Sequence, residues 1–135
     1  MAAAAATKGV QVTHLDGSKT AVTWAKRNAD AAGLDESSFR WIADDVMTYV
    51  EREIKRGSRY DGVIFDPPAF GRGGKRNQKI WKLQDDLPLL VSRLNELLVD
   101  DPSFVLLTCH DPEWPHYRLA ELLSSFRPLG GGRGL

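Results

Sequence analysis

The sequence contains a single cysteine and no long apolar run. Cys109 has no second cysteine with which to form an internal disulfide or a zinc site, so we expect a reducing compartment and a metal-free fold. No uncharged apolar segment approaches the roughly 20 residues that a transmembrane helix needs. Residues 1–6 lack the basic n-region of a signal peptide. We therefore expect a soluble, cytoplasmic protein, with an organelle as the open alternative.

The chain also lacks net charge, because its 18 Lys and Arg residues balance its 18 Asp and Glu residues. No overall positive field steers a polyanion towards it, so any binding of nucleic acid must come from a local basic surface. The length of 135 residues and the hydrophobic content of 42% are typical of one globular domain. No internal repeat or linker divides residues 1–135, which predicts a single domain.

Strand-like and helix-like segments alternate along the chain. Alternating or unbroken apolar residues predict strands at Gly9–Leu15, Phe39–Ile42, Tyr60–Phe65 and Ser103–Thr108. Apolar residues three and four positions apart predict helices over Ser18–Ala32, from Val46 to Gly57, over Leu83–Val99 and over His116–Ser125. Pro88 is tolerated only near a helix start. The alternation predicts a doubly wound, Rossmann-like α/β fold, with a mostly parallel sheet, buried third and fourth strands and helices on both faces.

Acidic residues stand at the ends of the first three predicted strands. Asp16 follows the first strand, Asp44 and Asp45 the second, and Asp66 the third. Ligands of open parallel sheets bind beyond the carboxyl ends of the strands. Asp16 is suited to accept hydrogen bonds from both hydroxyls of a ribose, and Asp45 from the exocyclic amine of adenine. The local alternative is that each Asp caps the helix that follows it, but acids at three corresponding strand ends favour a ligand site.

The most distinctive segment is Asp66-Pro67-Pro68-Ala69-Phe70, directly after the third predicted strand. Two consecutive prolines fix the backbone and remove two N–H donors, which leaves rigidly held carbonyl acceptors. Such acceptors suit the amino group of a nucleobase, and Phe70 suits stacking on its ring, so that the base is aligned for an in-line displacement. The alternative is that the prolines merely end an edge strand before a turn. A preceding acid and an apolar strand favour the functional interpretation.

A basic loop over Ala69–Lys79 follows this segment. Its cations, together with Lys82 and Trp81, are suited to RNA phosphates and to stacking on a base. These cations are Arg72, Lys75, Arg76 and Lys79. A solvated loop is the alternative. The other aromatic residues are expected to serve packing rather than binding, namely His14, Trp24, Trp41 and Trp114.

Four segments together resemble a known family. They are HLDGSKTAVTWAKRN, WIADDVMTYV, YDGVIFDPPAFGRG and FVLLTCH, which run from His14 to His110. In this order they resemble the class I S-adenosylmethionine-dependent methyltransferases related to bacterial large-subunit ribosomal RNA methyltransferases, which modify cytosine C5 or guanine N7. DPPAF is the most specific of these elements.

The resemblance implies S-adenosylmethionine as the cofactor and RNA, in particular ribosomal RNA, as the partner. It implies that Asp16 lies at the ribose of the cofactor and that Asp45 or Asp44 lies near its adenine. It further implies that Asp66, with the two prolines that follow, lies beside the methyl group and the target base.

One part of the family pattern is missing. The first strand and the glycine-rich turn that approaches the methionine part of the cofactor would precede Met1. Ala2–Ala6 resembles the helix that follows this turn, so we expect an N-terminally truncated, partial methyltransferase domain. Residues 127–135 form a glycine-rich tail without a closing element.

Cys109 has two interpretations. Methylation at cytosine C5 needs a thiolate that adds to C6 of the ring, and some RNA methyltransferases carry that cysteine in a Thr-Cys pair such as Thr108-Cys109. Against this, a lone cysteine at a strand end is more often a small buried apolar residue. Cys109 is therefore a candidate catalytic residue, with the buried apolar role as the alternative.

Three hypotheses for function follow. The leading one is an RNA methyltransferase domain that holds a base of ribosomal RNA against Asp66-Pro67-Pro68 and Phe70. The second is a noncatalytic remnant of the same fold that binds RNA or protein. The third is a small-molecule methyltransferase, for which the basic loop would be dispensable.

Overall fold

The computed structural model describes residues 9–71 and 80–126. The chain divides into two compact units, one ending at Tyr49 and the other beginning at Val50. Strands and helices alternate through both units, and hydrogen bonds join the strands in two parallel pairs. The predicted α/β class with parallel strands is therefore confirmed.

In the first unit, strand β1 (Val12–Asp16) pairs in parallel with strand β2 (Phe39–Ala43). Helix α1 (Lys19–Ala31) connects the two strands and contacts both of them. A short 3-10 helix over Glu36–Ser38 precedes β2. The sequence predictions missed this short helix, because three residues carry no helical periodicity.

The bounds of α1 follow from its flanking residues. The Ser18 hydroxyl accepts a hydrogen bond from the Ala21 N–H at 3.3 Å, which caps the first turn. Gly33 lies just beyond the end with a φ of 66°, a left-handed conformation that favours glycine. Val22 and Ala29 are the buried residues of the helix, so its apolar face is narrow.

Helix α2 (Val46–Lys55) begins in the first unit and continues into the second. Near its end the Glu53 side chain is 2% exposed. The Arg56 guanidinium and the Tyr60 hydroxyl donate hydrogen bonds to this carboxylate, both at 3.0 Å. A buried carboxylate is tolerated only with such partners, so the three side chains form a structural group.

In the second unit, strand β3 (Gly62–Phe65) pairs in parallel with strand β4 (Phe104–Leu107). Helix α3 (Leu83–Leu97) lies between them in the chain, and helix α4 (His116–Leu123) follows β4. α3 supplies much of the core of this unit. Its buried apolar residues are Leu83, Leu87, Leu90, Val91, Leu94 and Leu97.

Two features of the second unit differ from the sequence predictions. Phe104 and Leu106 of β4 are 43% and 49% exposed, so the expected burial of the fourth strand is wrong. An unbroken apolar run does not distinguish a strand covered on both faces from one covered on a single face. Pro88 lies inside α3, beyond its first turn. The helix continues because the proline removes only one N–H donor, and the buried leucines of α3 stabilise the helix through packing.

Most of the expected packing roles of the aromatic residues are confirmed. Trp41 stacks on Phe39 with ring centroids 4.7 Å apart, and the His14 ring lies 5.4 Å from Trp41. Trp114 is 4% exposed, and the Arg118 guanidinium lies 4.0 Å from the centroid of its ring. Each of these rings therefore contributes to packing within its own unit.

Trp24 is the exception. Its side chain is 69% exposed, so its predicted packing role is wrong. Its position on α1 lies opposite Val22 and Ala29, the residues that face the interior.

Within the described ranges, no helix has both the length and the apolarity that are needed to cross a bilayer.

Candidate functional site

The carboxyl ends of β1 and β2 bring three predicted site residues together. Asp16 is the last residue of β1 and pairs with Ala43 at the end of β2. The Asp44 N–H then donates to the Asp16 carbonyl oxygen at 3.1 Å. Asp16 thus ends its strand rather than following it, and Asp44 and Asp45 lie at the same sheet edge. The geometry is the one expected of a ligand site on parallel strands.

Each of these carboxylates also has a local partner. Asp16 Oδ1 accepts from the Ser18 N–H at 2.7 Å, and Asp45 Oδ1 accepts from the Thr48 N–H at 2.9 Å. Asp44 Oδ1 accepts from the Asp45 N–H, also at 2.9 Å. The capping alternative is therefore correct for Asp45, whose Oδ1 caps the first turn of α2. It is wrong for Asp16 and Asp44, which bond within the turns after their strands, and Ser18 caps α1. Among the described residues, the second oxygens of Asp16 and Asp45 have no hydrogen-bond partner and are available as acceptors.

A short antiparallel ribbon, formed by residues 69–71 and 81–83, holds the Asp66-Pro67-Pro68 segment. The sequence predictions missed this ribbon. The Trp81 indole N–H donates to the Pro68 carbonyl oxygen at 2.8 Å. The Gly71 N–H donates to the Trp81 carbonyl oxygen, and Phe70 pairs with Lys82 in an antiparallel bridge. Trp81 thus holds the segment in place, whereas the sequence predicted that it stacks on a base.

The ribbon changes which acceptors are available. The Pro68 carbonyl is already bound to Trp81. The Asp66 side chain is exposed and has no hydrogen bond within the described part of the chain. The neighbouring Pro67 carbonyl also has no hydrogen-bond partner among the described residues, so the Asp66 carboxylate and this carbonyl keep their capacity to accept.

Phe70 lies at the edge of an open cleft in the second unit. Its side chain is 76% exposed, which is unusual for a large apolar ring. The cleft has a volume of about 290 Å³. The other residues that line it are Ala69, Lys82, Leu83, Gln84, Asp85, Asp111, Pro112 and Glu113. Acidic side chains and an aromatic ring thus line the same cleft.

The loop between β4 and α4 forms the acidic part of this cleft and is internally bonded. Asp111 Oδ1 accepts from the Glu113 N–H at 2.9 Å. Glu113 Oε2 accepts from the Gln84 side-chain amide at 2.8 Å, and Arg118 donates to Gln84 Oε1 at 3.2 Å. Arg118 also donates to the Glu113 carbonyl oxygen at 3.1 Å, so the loop is bonded to both α3 and α4. Sequence reasoning missed Gln84, Asp85 and Glu113, since they become neighbours only through the fold.

Cys109 is a free, half-buried cysteine just after β4. The Thr108 N–H donates to the Phe65 carbonyl oxygen at 3.1 Å, so β4 ends beside the strand that leads into Asp66. The thiol therefore belongs to the same sheet edge as the Asp66-Pro67-Pro68 segment. His110, which follows it, is exposed.

The predicted basic contacts are only partly within the structure. Arg72, Lys75, Arg76 and Lys79 lie outside the described residues, while Lys82 is exposed at the cleft. Within residues 9–71 and 80–126, no group of three or more His, Cys, Asp or Glu side chains is placed to hold a metal ion.

Comparison with known proteins identifies relatives by sequence, although no family model matches the chain. Over 98 residues the chain is 33% identical to ribosomal RNA large subunit methyltransferase K of Neisseria meningitidis, covering 72% of this chain and 27% of that protein. It is 35% identical over 98 residues to ribosomal RNA large subunit methyltransferase I of Aeromonas salmonicida, covering 73% of this chain and 24% of that protein.

Solved structures agree with these relatives. The chain matches the SAM-dependent methyltransferase from Agrobacterium tumefaciens with a TM-score of 0.79 and 42% sequence identity, over 90% of this chain and 37% of that one. The protein SMU.776, solved in complex with S-adenosylhomocysteine, shares the fold at a TM-score of 0.73 and 19% identity, over 93% of this chain and 30% of that one.

The chain spans about a quarter of the length of the curated relatives it matches. By sequence and by fold, the chain belongs to the class I S-adenosylmethionine-dependent methyltransferases, among the relatives of the large-subunit ribosomal RNA methyltransferases.

Proposed function

We propose that this chain is part of an S-adenosylmethionine-dependent methyltransferase that acts on a base of RNA, with ribosomal RNA as the substrate. The observation that carries the proposal is the exposed Phe70 ring, 76% accessible, at the end of the Asp66-Pro67-Pro68 segment and beside an acid-lined cleft. Proteins recognise a nucleobase by stacking on its ring and by hydrogen bonds to its edge. An exposed aromatic ring next to hydrogen-bond acceptors can supply both kinds of contact.

The acids at the end of β1 and β2 fit the adenosine part of the cofactor. Asp16 and Asp45 each keep one carboxylate oxygen without a partner among the described residues. In the proposal, Asp16 accepts from the ribose hydroxyls and Asp45, with Asp44 beside it, accepts from the adenine amine. When bound, S-adenosylmethionine supplies a methyl group on a positively charged sulfur.

The Asp66 segment orients the substrate. Phe70 stacks on the target base, while the Asp66 carboxylate and the Pro67 carbonyl accept hydrogen bonds from its amino group. Because Trp81 fixes Pro68 at 2.8 Å, these acceptors are held in place before the base arrives. Rigid alignment of this kind is a large part of the rate acceleration in a displacement reaction.

RNA is favoured over a small-molecule substrate for two reasons. The matched relatives are named ribosomal RNA large subunit methyltransferases. The segment after Phe70 also contains four cations, Arg72, Lys75, Arg76 and Lys79, which are suited to phosphate contacts. Charge reversal at Lys75 and Arg76 should weaken RNA binding and reduce its salt dependence. Unchanged RNA binding and salt dependence in the double variant would contradict the role of these cations, whereas transfer to a small molecule but not to RNA would favour a small substrate.

The central test of the substrate site is methyl transfer from labelled S-adenosylmethionine to ribosomal RNA by the chain and its Phe70→Ala variant. We expect a loss of about tenfold or more, because base–aromatic stacking contributes roughly 1–3 kcal/mol. Tyr117→Ala is the matched control, since Tyr117 is also an exposed aromatic side chain, at 66%. Equal activity of the two variants would contradict the role of Phe70. Cofactor binding without any transfer to RNA would favour the noncatalytic binding module.

Cys109 separates the two target chemistries that the resemblance allows. If the methylated atom is cytosine C5, the Cys109 thiolate would add to C6 and be expelled again when the methylated C5 loses its proton. Cys109→Ser should then abolish transfer while S-adenosylmethionine still binds. If the atom is guanine N7, no thiolate is needed and the variant should keep its activity. The measurement is the rate of methyl transfer to RNA together with the identity of the modified nucleoside.

A further inference from the structure

Helix α1 presents a large aromatic side chain to solvent. Trp24 is 69% exposed, on the face of the helix opposite the buried Val22 and Ala29. Tryptophan is highly buried on average, so an indole ring this accessible is a candidate contact surface when polar partners surround it. None of the roles proposed above involves Trp24.

Basic side chains and threonine hydroxyls surround this ring. An open groove beside Trp24 is lined by Lys19, Thr20, Thr23 and Arg27. Lys19 and Arg27 have no acidic partner among the described residues. They are eight positions apart, and therefore about 12 Å apart along the helix axis at 1.5 Å per residue. The groove thus has two free cations with an aromatic ring between them.

A third cation on the same helix behaves differently. Lys26 forms an ion pair with Glu36. The hydrogen bond to Glu36, followed by the negative charge of that carboxylate, raises the pKa of Lys26 above its ordinary value. The charge of Lys26 is therefore compensated locally, in contrast to the charges of Lys19 and Arg27.

We propose that the α1 groove, formed by Lys19, Thr20, Thr23, Trp24 and Arg27, binds single-stranded RNA. A base stacks on the Trp24 indole, and Lys19 and Arg27 contact phosphates on either side of it. The free positive charges favour a polyanion over an apolar protein surface. This inference shares with the proposed function only the expectation of an RNA ligand, and it requires neither cofactor nor methyl transfer.

The test is fluorescence anisotropy of a labelled 12-nucleotide single-stranded RNA titrated with the 135-residue chain in the absence of S-adenosylmethionine. Trp24→Ala should weaken binding by about tenfold, the effect expected of one lost stacking contact. Trp24→Phe should retain most of the affinity because it keeps an aromatic face. Tyr117→Ala, which removes another exposed aromatic ring, should leave binding unchanged.

Three charge reversals make the test specific for the groove. Lys19→Glu and Arg27→Glu should each weaken binding and lower its salt dependence, whereas Lys26→Glu, which makes the same charge change on the same helix, should have a smaller effect. Equal losses for all three would indicate nonspecific attraction and overturn the proposal. Unchanged RNA binding by Trp24→Ala would also overturn the proposal. The same holds if Trp24→Ala alters only the self-association of the chain and not its RNA binding.

Failure of this proposal is distinguishable from failure of the proposed function. Trp24→Ala should bind S-adenosylmethionine like the unmodified chain, because the α1 groove is not part of the cofactor site. A titration with S-adenosylmethionine alone therefore reports on the cofactor site whatever the RNA measurement gives.

Discussion

Gly71 lies where the ribbon backbone meets the side chain of Trp81. A Cβ atom added to Gly71 would stand 2.7 Å from Trp81 Cβ, closer than any normal contact. We expect Gly71→Ala to destabilise the chain by about 1–3 kcal/mol, because the two strands of the ribbon must move apart. Urea unfolding measures this change, with Gly17→Ala as the control. An added Cβ at Gly17 makes only an ordinary contact, 4.0 Å from the Asp44 carbonyl oxygen.

The hydrogen bond from Trp81 to Pro68 gives a second prediction at this scale. Trp81→Phe keeps an aromatic ring but removes the indole N–H that donates to Pro68 at 2.8 Å. The loss should lower the free energy of unfolding by about 1 kcal/mol, the usual contribution of one hydrogen bond. Trp24→Phe, at an exposed position, should stay within about 0.5 kcal/mol of the unmodified chain. Equal unfolding midpoints for both variants would show that the Pro68 contact does not stabilise the fold.

The same residues show what a sequence does and does not reveal. The Asp66-Pro67-Pro68 segment can be recognised as a candidate site from the sequence, because two prolines after an apolar strand have few structural explanations. The partner of Pro68 is thirteen residues further along the chain, and no local pattern predicts that pairing. Trp24 and Trp81 are both tryptophans in polar surroundings, yet one is exposed and the other holds a loop.

Helix α3 depends on an acid that is buried at its beginning. Asp86 is 6% exposed, and its Oδ2 accepts from the Lys82 N–H at 2.8 Å. Asp86→Ala should destabilise the chain by about 1.5–3 kcal/mol, as expected for a buried hydrogen bond to a charged group. Asp85→Ala removes an exposed acid from the same first turn and should cost less than about 1 kcal/mol. Thermal or urea unfolding of the two variants decides between these outcomes, and equal losses would contradict the role of Asp86.

Element bounds were largely predictable because helices carry their own signals. Ser18 and Gly33 delimit α1 by capping, which is a local effect. The exposure of β4 was not predictable, since burial depends on which elements cover a strand rather than on its own residues. The continuation of α3 through Pro88 likewise depends on core packing that local propensity does not include.

At the scale of the whole chain, the order of motifs carried the most information. The alternation of strands and helices predicted the α/β class, and the strand-end acids followed by an Asp-Pro-Pro segment predicted the family. The structure and the relatives confirm these two predictions. The cleft beside Phe70 could not be predicted, because Gln84, Asp111 and Glu113 meet only after α3 and the loop before α4 are in place. Residues at strand ends can therefore be predicted from the sequence, whereas residues from separate elements that line a cleft cannot.

The central claim is that the end of β1 and β2 binds the adenosine part of S-adenosylmethionine. Calorimetric titration of the chain with S-adenosylmethionine and S-adenosylhomocysteine, compared with the Asp16→Ala variant, tests it most directly. Asp35→Ala is a matched control, since Asp35, like Asp16, accepts a hydrogen bond from a serine N–H two residues later. We expect micromolar binding by the unmodified chain and by Asp35→Ala, and a loss of binding in Asp16→Ala. No binding by a folded chain, or equal binding by all three proteins, would contradict the claim.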